Sequence, residues 1–205
     1  MQATGLPGDA VAVAGVGVEE HYFSLLREPA EPPYVLSVGT VEARKDLATV
    51  VRMLVHDPQL RLLAAGFETA YATELRLLAA GLGVGERFQL LGYVSDERLR
   101  ELYRGARAMV FPSRYEGFGL PPLQAQAAGV PVVASDIPVL REVLGEGAWF
   151  VRPGDSLQFA RSVAEIAAGG GGVEQRVQSA RERARQFSWS AVAERTALIY
   201  RSLCQ

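Results

Sequence analysis

The chain has one cysteine, Cys204, next to last of its 205 residues, and two histidines, His21 and His56. A single thiol closes no internal disulfide, and two distant imidazoles do not make a zinc set. Each histidine reads as a hinge or surface residue, and Cys204 as a tail thiol. No Asp-x-Asp pair occurs to carry a divalent ion. Neither charge is in excess: 21 Lys and Arg face 23 Asp and Glu, a net charge of −2, which argues against a dedicated nucleic-acid binder. No apolar run is long enough to span a bilayer, and no basic-then-apolar leader is present. A cytoplasmic location is expected. The first apolar strand is not followed by Gly-x-Gly-x-x-Gly, which speaks against a nicotinamide-dependent oxidoreductase.

What remains is an ordinary globular composition, 49% hydrophobic and 21% charged, long enough for one large domain or two small ones. Residues 1–9 are polar, Val11-Ala12-Val13-Ala14 reads as a short strand, and Glu28-Pro29-Ala30-Glu31-Pro32-Pro33 reads as a linker. The regular part begins at Tyr34. Apolar strands are expected at 34–38, 60–65, 88–91, 108–111, 130–134 and 148–151. Helices are expected at 45–55, 68–82, 95–104, 119–129, 137–144, 155–168, 173–186 and 189–203, with a flexible glycine break at 169–172. Short apolar strands alternating with helices predict an α/β, doubly wound, Rossmann-like parallel sheet with helices on both faces and extra C-terminal helices.

Chemistry is expected beyond the carboxyl ends of the strands. One such end is Gly39-Thr40-Val41-Glu42-Ala43-Arg44-Lys45-Asp46, where two cations stand at the expected start of a helix. The helix dipole disfavours cations there by about 0.3–1 kcal/mol, and an anionic ligand would offset that. Taken alone, this segment reads rather as a solvated basic turn. A second end is Gly92-Tyr93-Val94-Ser95, readable as a pocket wall or as a packed Tyr before a helix cap. The third is Phe111-Pro112-Ser113-Arg114-Tyr115-Glu116-Gly117-Phe118-Gly119-Leu120-Pro121-Pro122. A glycine turn at a helix head presents free N–H groups to phosphate. A carboxylate beside it accepts hydrogen bonds from hydroxyls instead. Phosphate plus hydroxyls suggests a nucleotide-linked sugar.

These three segments, together with Ala128-Gly129-Val130-Pro131-Val132-Val133-Ala134-Ser135, resemble the C-terminal, donor-binding domain of a GT-B glycosyltransferase of the retaining family 4 (group 1) type. The resemblance implies a nucleoside diphosphate sugar, UDP- or GDP-linked, as donor substrate and partner, with no separate cofactor and no metal. It implies that Lys45 and Arg44 neutralise the diphosphate and that Glu116 holds the sugar's hydroxyls. Gly39, Gly117, Phe118 and Gly119 would offer close backbone, Leu120 would lie near the nucleotide, and Tyr93 and Val94 would line the base pocket. Thr40 stands where many relatives have Arg. Gln124 stands where the pattern has a second Glu that holds ribose, and so reads as a weaker ribose ligand or as a sign of altered donor preference. Residues 11–23 resemble the hinge of such enzymes and residues 189–203 their crossing helix. The expected organisation is a hinge remnant over 1–33 and the donor domain over 34–205, with the acceptor-binding N-terminal domain missing, in cis or as a separate subunit. The chain alone is expected not to transfer sugar. The other function kept open is a non-catalytic sugar-nucleotide-binding or scaffolding module.

Overall fold

The computed structural model describes residues 12–203. Six strands form one parallel sheet: β1 (Tyr34–Val38), β2 (Arg61–Ala65), β3 (Phe88–Gly92), β4 (Ala108–Phe111), β5 (Val132–Ser135) and β6 (Ala148–Val151), in the order β3-β2-β1-β4-β5-β6. The chain builds outward from β1 to β3, then returns to pair β4 with the other edge of β1. That reversal leaves a crevice between the carboxyl ends of β1 and β4.

Both faces of the sheet are apolar, because alternate residues of each strand point to opposite sides. On one face Leu36, Leu63, Met109, Val132 and Ala134 pack under α1 (Glu20–Phe23), α4 (Asp96–Gly105), α5 (Leu120–Ala127), α6 (Pro138–Leu144) and α8 (Gly171–Arg185). On the other, Val35, Leu62, Ala64, Val110 and Val133 pack under α2 (Leu47–Met53), α3 (Tyr71–Gly81) and α7 (Ser156–Ala168). The final helix, α9, runs Trp189–Leu203.

Side chains cap α4 and α7: Ser95 Oγ accepts from Arg98 N at 3.2 Å, and Asp155 Oδ1 accepts from Gln158 N at 2.9 Å. Ser188 Oγ likewise accepts from Ala191 N at 3.2 Å at the head of α9.

Some expectations fail. The helix expected from residue 45 begins at Leu47; Ala43–Lys45 is a separate 3-10 turn, and Asp46 between them is left-handed at φ 48°. The flexible break at 169–172 shrinks to Gly169 and Gly170, since the first turn of α8 absorbs the next two glycines. The linker at 28–33 is held to the end of α4: Glu28 N donates to Arg104 O and Ala30 N to Gly105 O. Residues 1–11 and Cys204 lie outside the described part, and residues 12–14 form no strand.

The segment ahead of β1 packs on the domain. Val18, Tyr22 and Phe23 are buried in the first core, Val18 bridges to Ser188, and Arg195 Nη1 donates to Ala14 O at 2.9 Å. Among the described residues no helix is long and apolar enough to cross a membrane.

Candidate functional site

The turn after β1 and the loop after β4 meet at a short ion pair. Lys45 Nζ lies 2.6 Å from Glu116 Oε1, with the two side chains 12% and 8% exposed. The Lys45 stem runs past Gly39, where a Cβ would lie 3.3 Å from both Cε and Nζ, and its ammonium sits 4.9 Å from the Phe111 ring centroid. Glycine at 39 therefore lets the lysine reach back along its own turn. Arg44 is more open. It reaches Glu116 Oε2 at 3.4 Å, Tyr115 O at 3.2 Å and Glu42 at 2.6 Å. Two cations thus flank one largely buried carboxylate, and each charge compensates the desolvation of the other.

Asp46 ties the two loops together. Its Oδ2 accepts from Thr49 Oγ1 and from Arg114 Nε, each at 2.9 Å, and Arg114 N donates to Arg44 O at 2.9 Å. Asp tolerates a left-handed backbone better than most residues, and these bonds hold it there. The cations consequently stand ahead of the cap of α2 rather than in its first turn. The pairing with Glu116 compensates the Lys45 charge.

The helix behind Glu116 is α5. Gly119 caps it at φ 97°, and a Cβ there would fall 2.6 Å from Leu140 Cδ2. Pro121 and Pro122 occupy its first turn, where a missing N–H is harmless. The N–H groups of Gly117, Phe118, Gly119 and Leu120 meet no acceptor among the described residues. The Phe118 ring packs edge-on against Phe187, so only its backbone remains for a ligand. Beside Lys45, Ser113 Oγ is buried with no partner among the described residues.

A second cleft of about 210 Å³ adjoins the Gly39-Thr40 turn, lined by Val38, Gly66, Phe67, Tyr93 and Val94. The Phe67 and Tyr93 rings stack at 4.9 Å with 23° between planes, yet both remain mostly exposed. The turn is close-built: a Cβ on Gly66 would lie 2.1 Å from Gly39 O.

The structure thus brings Gly39, Thr40, Arg44, Lys45 and Glu116 together, sets the head of α5 behind Glu116, and lines the adjoining cleft with Tyr93 and Val94. Gln124 makes a different contact: its Nε2 donates to Glu19 Oε2 at 3.1 Å, in the segment ahead of β1. Beside Glu19, burial and the Glu19 and Asp96 charges push the Tyr22 phenol up to about 12. Sequence reasoning missed Glu19, Phe67 and Asp46. Asp46, before an apolar helical stretch, carried a legible cap signal. Glu19 and Phe67 carried none, since their partners lie 105 and 26 residues away.

The family model described as glycosyl transferases group 1 matches residues 18–187. The O-antigen chain mannosyltransferase RfbU of Salmonella typhimurium is 35% identical over 134 residues, 65% of this chain and 38% of that protein. Among solved structures, a sucrose-phosphate synthase from Thermosynechococcus elongatus superposes with TM-score 0.76 at 31% identity, over 93% of this chain and 50% of that one. HepE of Anabaena, solved in complex with UDP and glucose, superposes with TM-score 0.72 at 21% identity, over 83% of this chain and 48% of that one. This chain spans half or less of the length of each.

Proposed function

Because this chain belongs to the glycosyl transferases group 1 family, we propose that it is the donor-binding half of a retaining GT-B enzyme of the family 4 type, using a nucleoside diphosphate sugar. The observation that carries this reading is the Lys45–Glu116 pair standing beside the unpaired N–H groups at the head of α5. A diphosphate placed there takes up Lys45, Arg44 and the positive end of the helix dipole. Drawing Lys45 toward phosphate frees Glu116 oxygens to accept from the sugar's hydroxyls. The ligand thereby exchanges one internal ion pair for two charge-assisted contacts.

The reaction breaks the bond between the anomeric carbon and the diphosphate oxygen and forms one from that carbon to an acceptor's hydroxyl oxygen, whose proton passes to the leaving diphosphate, with retention at that carbon. Negative charge grows on the leaving diphosphate, and preorganised cations and N–H groups stabilise it as it grows. In this reading protein cations, not a divalent ion, carry that task. Thr40 adds at most a hydroxyl contact where relatives have a guanidinium. The cleft between Phe67, Tyr93 and Val94 takes the base. HepE was solved with UDP and glucose, and RfbU is a mannosyltransferase, so UDP-glucose and GDP-mannose are the first donors to try.

A second, acceptor-binding domain completes the enzyme, either in the same polypeptide or as a separate subunit. That this chain spans 38% of RfbU and 50% of the sucrose-phosphate synthase supports that organisation. Residues 1–33 then serve as the hinge side, and 34–205 as the donor domain.

Calorimetry with UDP, GDP and ADP, alone and as their hexose conjugates, tests the reading. Wild-type protein is expected to bind one nucleoside diphosphate and to gain affinity from the sugar. Glu116→Ala should abolish that gain, whereas Lys45→Ala should weaken both forms. Tight binding of NAD, or no nucleotide binding at all, overturns it. The purified 205-residue chain is expected to bind donor without transferring sugar, and detectable transfer to an acceptor refutes that part.

A further inference from the structure

A polar contact on α5 lies apart from the Lys45–Glu116 pair. Gln124 is only 8% exposed, and its Nε2 donates to Glu19 Oε2 at 3.1 Å. Nε2 and Oε1 branch from one carbon, so fixing the amide nitrogen on Glu19 turns the carbonyl oxygen away from that carboxylate. Among the described residues, neither Gln124 Oε1 nor Glu19 Oε1 accepts a hydrogen bond. One bonded pair of side chains at the edge of α5 thus keeps two oxygens that can only accept, and Glu19 is half-buried.

Acceptor-only oxygens call for donors, and adjacent hydroxyls supply two of them in one rigid unit. The location favours the nucleotide over the sugar. Tyr22, three residues after Glu19, packs edge-on against Tyr103 of α4 with ring centroids 5.5 Å apart, Tyr103 Oη donates to Pro121 O at the head of α5 at 3.0 Å, and α4 begins directly after the Tyr93-Val94 wall of the aromatic cleft. Glu116, by contrast, is bound to Lys45 and Arg44 at the other loop.

We propose that Glu19, from the segment ahead of β1, supplies the carboxylate that binds the ribose diol of the nucleotide, with Gln124 oriented by it as the second acceptor. This rests on the donor-domain reading above. It also explains why position 124 carries an amide. A glutamate there would face Glu19 at about the same 3 Å, and two carboxylates so close cannot both stay ionised without a large penalty. The site needs one negative charge, and in this chain the N-terminal segment holds it.

The test uses the full chain and calorimetry with the member of UDP, GDP and ADP that binds wild type tightest, beside its 2′-deoxy and 3′-deoxy counterparts. Glu19→Gln, which keeps the shape, should weaken the ribonucleotide about five- to tenfold, the scale of one charge-assisted hydrogen bond. The same variant should change binding of the deoxy forms less than about twofold. Gln124→Glu alone should also weaken the ribonucleotide. The exchange Glu19→Gln with Gln124→Glu should restore it to within about twofold of wild type, because the single charge is back. Thermal unfolding of each ligand-free variant verifies that the fold is kept.

Unchanged affinity in Glu19→Gln, an equal loss with the deoxy forms, failure of the exchange to restore binding, or a loss seen only with sugar-linked nucleotides overturns the assignment. Each leaves the donor reading standing, because wild type still binds. Absence of nucleotide binding by wild type removes the donor reading itself, and this inference with it.

Discussion

Lys45 Nζ and Glu116 Oε1 are 2.6 Å apart although 71 residues separate them, and both side chains are nearly buried. Removing one partner leaves the other charge desolvated with only a weaker neighbour, Arg44, at 3.4 Å from Glu116. Lys45→Ala is expected to lower stability by about 2–3 kcal/mol. The double variant Lys45→Ala/Glu116→Gln should lose less than the sum of the two single losses, with a coupling of at least ~1 kcal/mol. Denaturant unfolding of the four proteins measures it, and additive losses would refute a coupled pair.

Asp46 holds a left-handed backbone at φ 48° while bonding Thr49 and Arg114. Alanine there meets the left-handed penalty of roughly 1–2 kcal/mol and loses both side-chain bonds. Asp46→Ala should therefore destabilise more than Asp46→Gly, which is free of the backbone part. The order of their denaturation midpoints decides the point.

Gly66 and Gly83 separate space from conformation. Both have positive φ, 150° and 68°, but a Cβ on Gly66 would strike Gly39 O at 2.1 Å whereas one on Gly83 meets nothing within 4 Å. Gly66→Ala is expected to cost about 3 kcal/mol or more and to distort the Gly39-Thr40 turn, Gly83→Ala only about 1 kcal/mol. Equal midpoints for the two variants would show that the close approach is not felt.

The stacked Phe67–Tyr93 pair gives a prediction about binding. If the exposed rings form the base platform, Phe67→Ala should weaken the tightest-binding nucleoside diphosphate about tenfold, the scale of one aromatic stack. Inorganic pyrophosphate, which has no base, should bind both proteins alike. A similar loss for pyrophosphate would place the damage elsewhere.

Buried phenols set an alkaline limit. Tyr22 is pushed up to about 12, from 10.0, by burial first and then by the Glu19 and Asp96 charges; burial also raises Tyr34 and Tyr103. A phenol whose folded pKa exceeds its unfolded value holds its proton more tightly in the folded state. Its contribution is intact below pH ~10 and disappears as pH rises toward 12, about 2–3 kcal/mol for Tyr22. Stability measured from pH 9 to 12 should fall on that schedule, with tyrosinate absorbance rising at unfolding. Replacing Tyr22 by Phe should flatten the slope, and an unchanged slope would contradict it.

Much of this was legible from local chemistry. The alternation of apolar strands with capped helices determined a parallel α/β sheet, because period-2 and period-3.6 burial leave distinct marks on a chain. The loop from Phe111 to Pro122 carried its acid, glycines and prolines in one stretch, so Glu116 and the head of α5 could be named from neighbours in sequence. The capping contacts of Ser95, Asp155 and Ser188 each span three residues and are local in the same way.

Other features required the fold. The sequence could not reveal that Lys45 precedes the helix in a 3-10 turn, since the left-handed Asp46 is held by Arg114 from another loop. It could not pair Phe67 with Tyr93, because that contact depends on β2 and β3 lying side by side. Nor could it set Glu19 against Gln124 across 105 residues. The sequence alone determined the kind and order of the elements and which residue types end each strand. Tertiary structure decided which of those ends face each other, because contacts between distant segments depend on strand order and on packing across the sheet, neither of which leaves a local pattern.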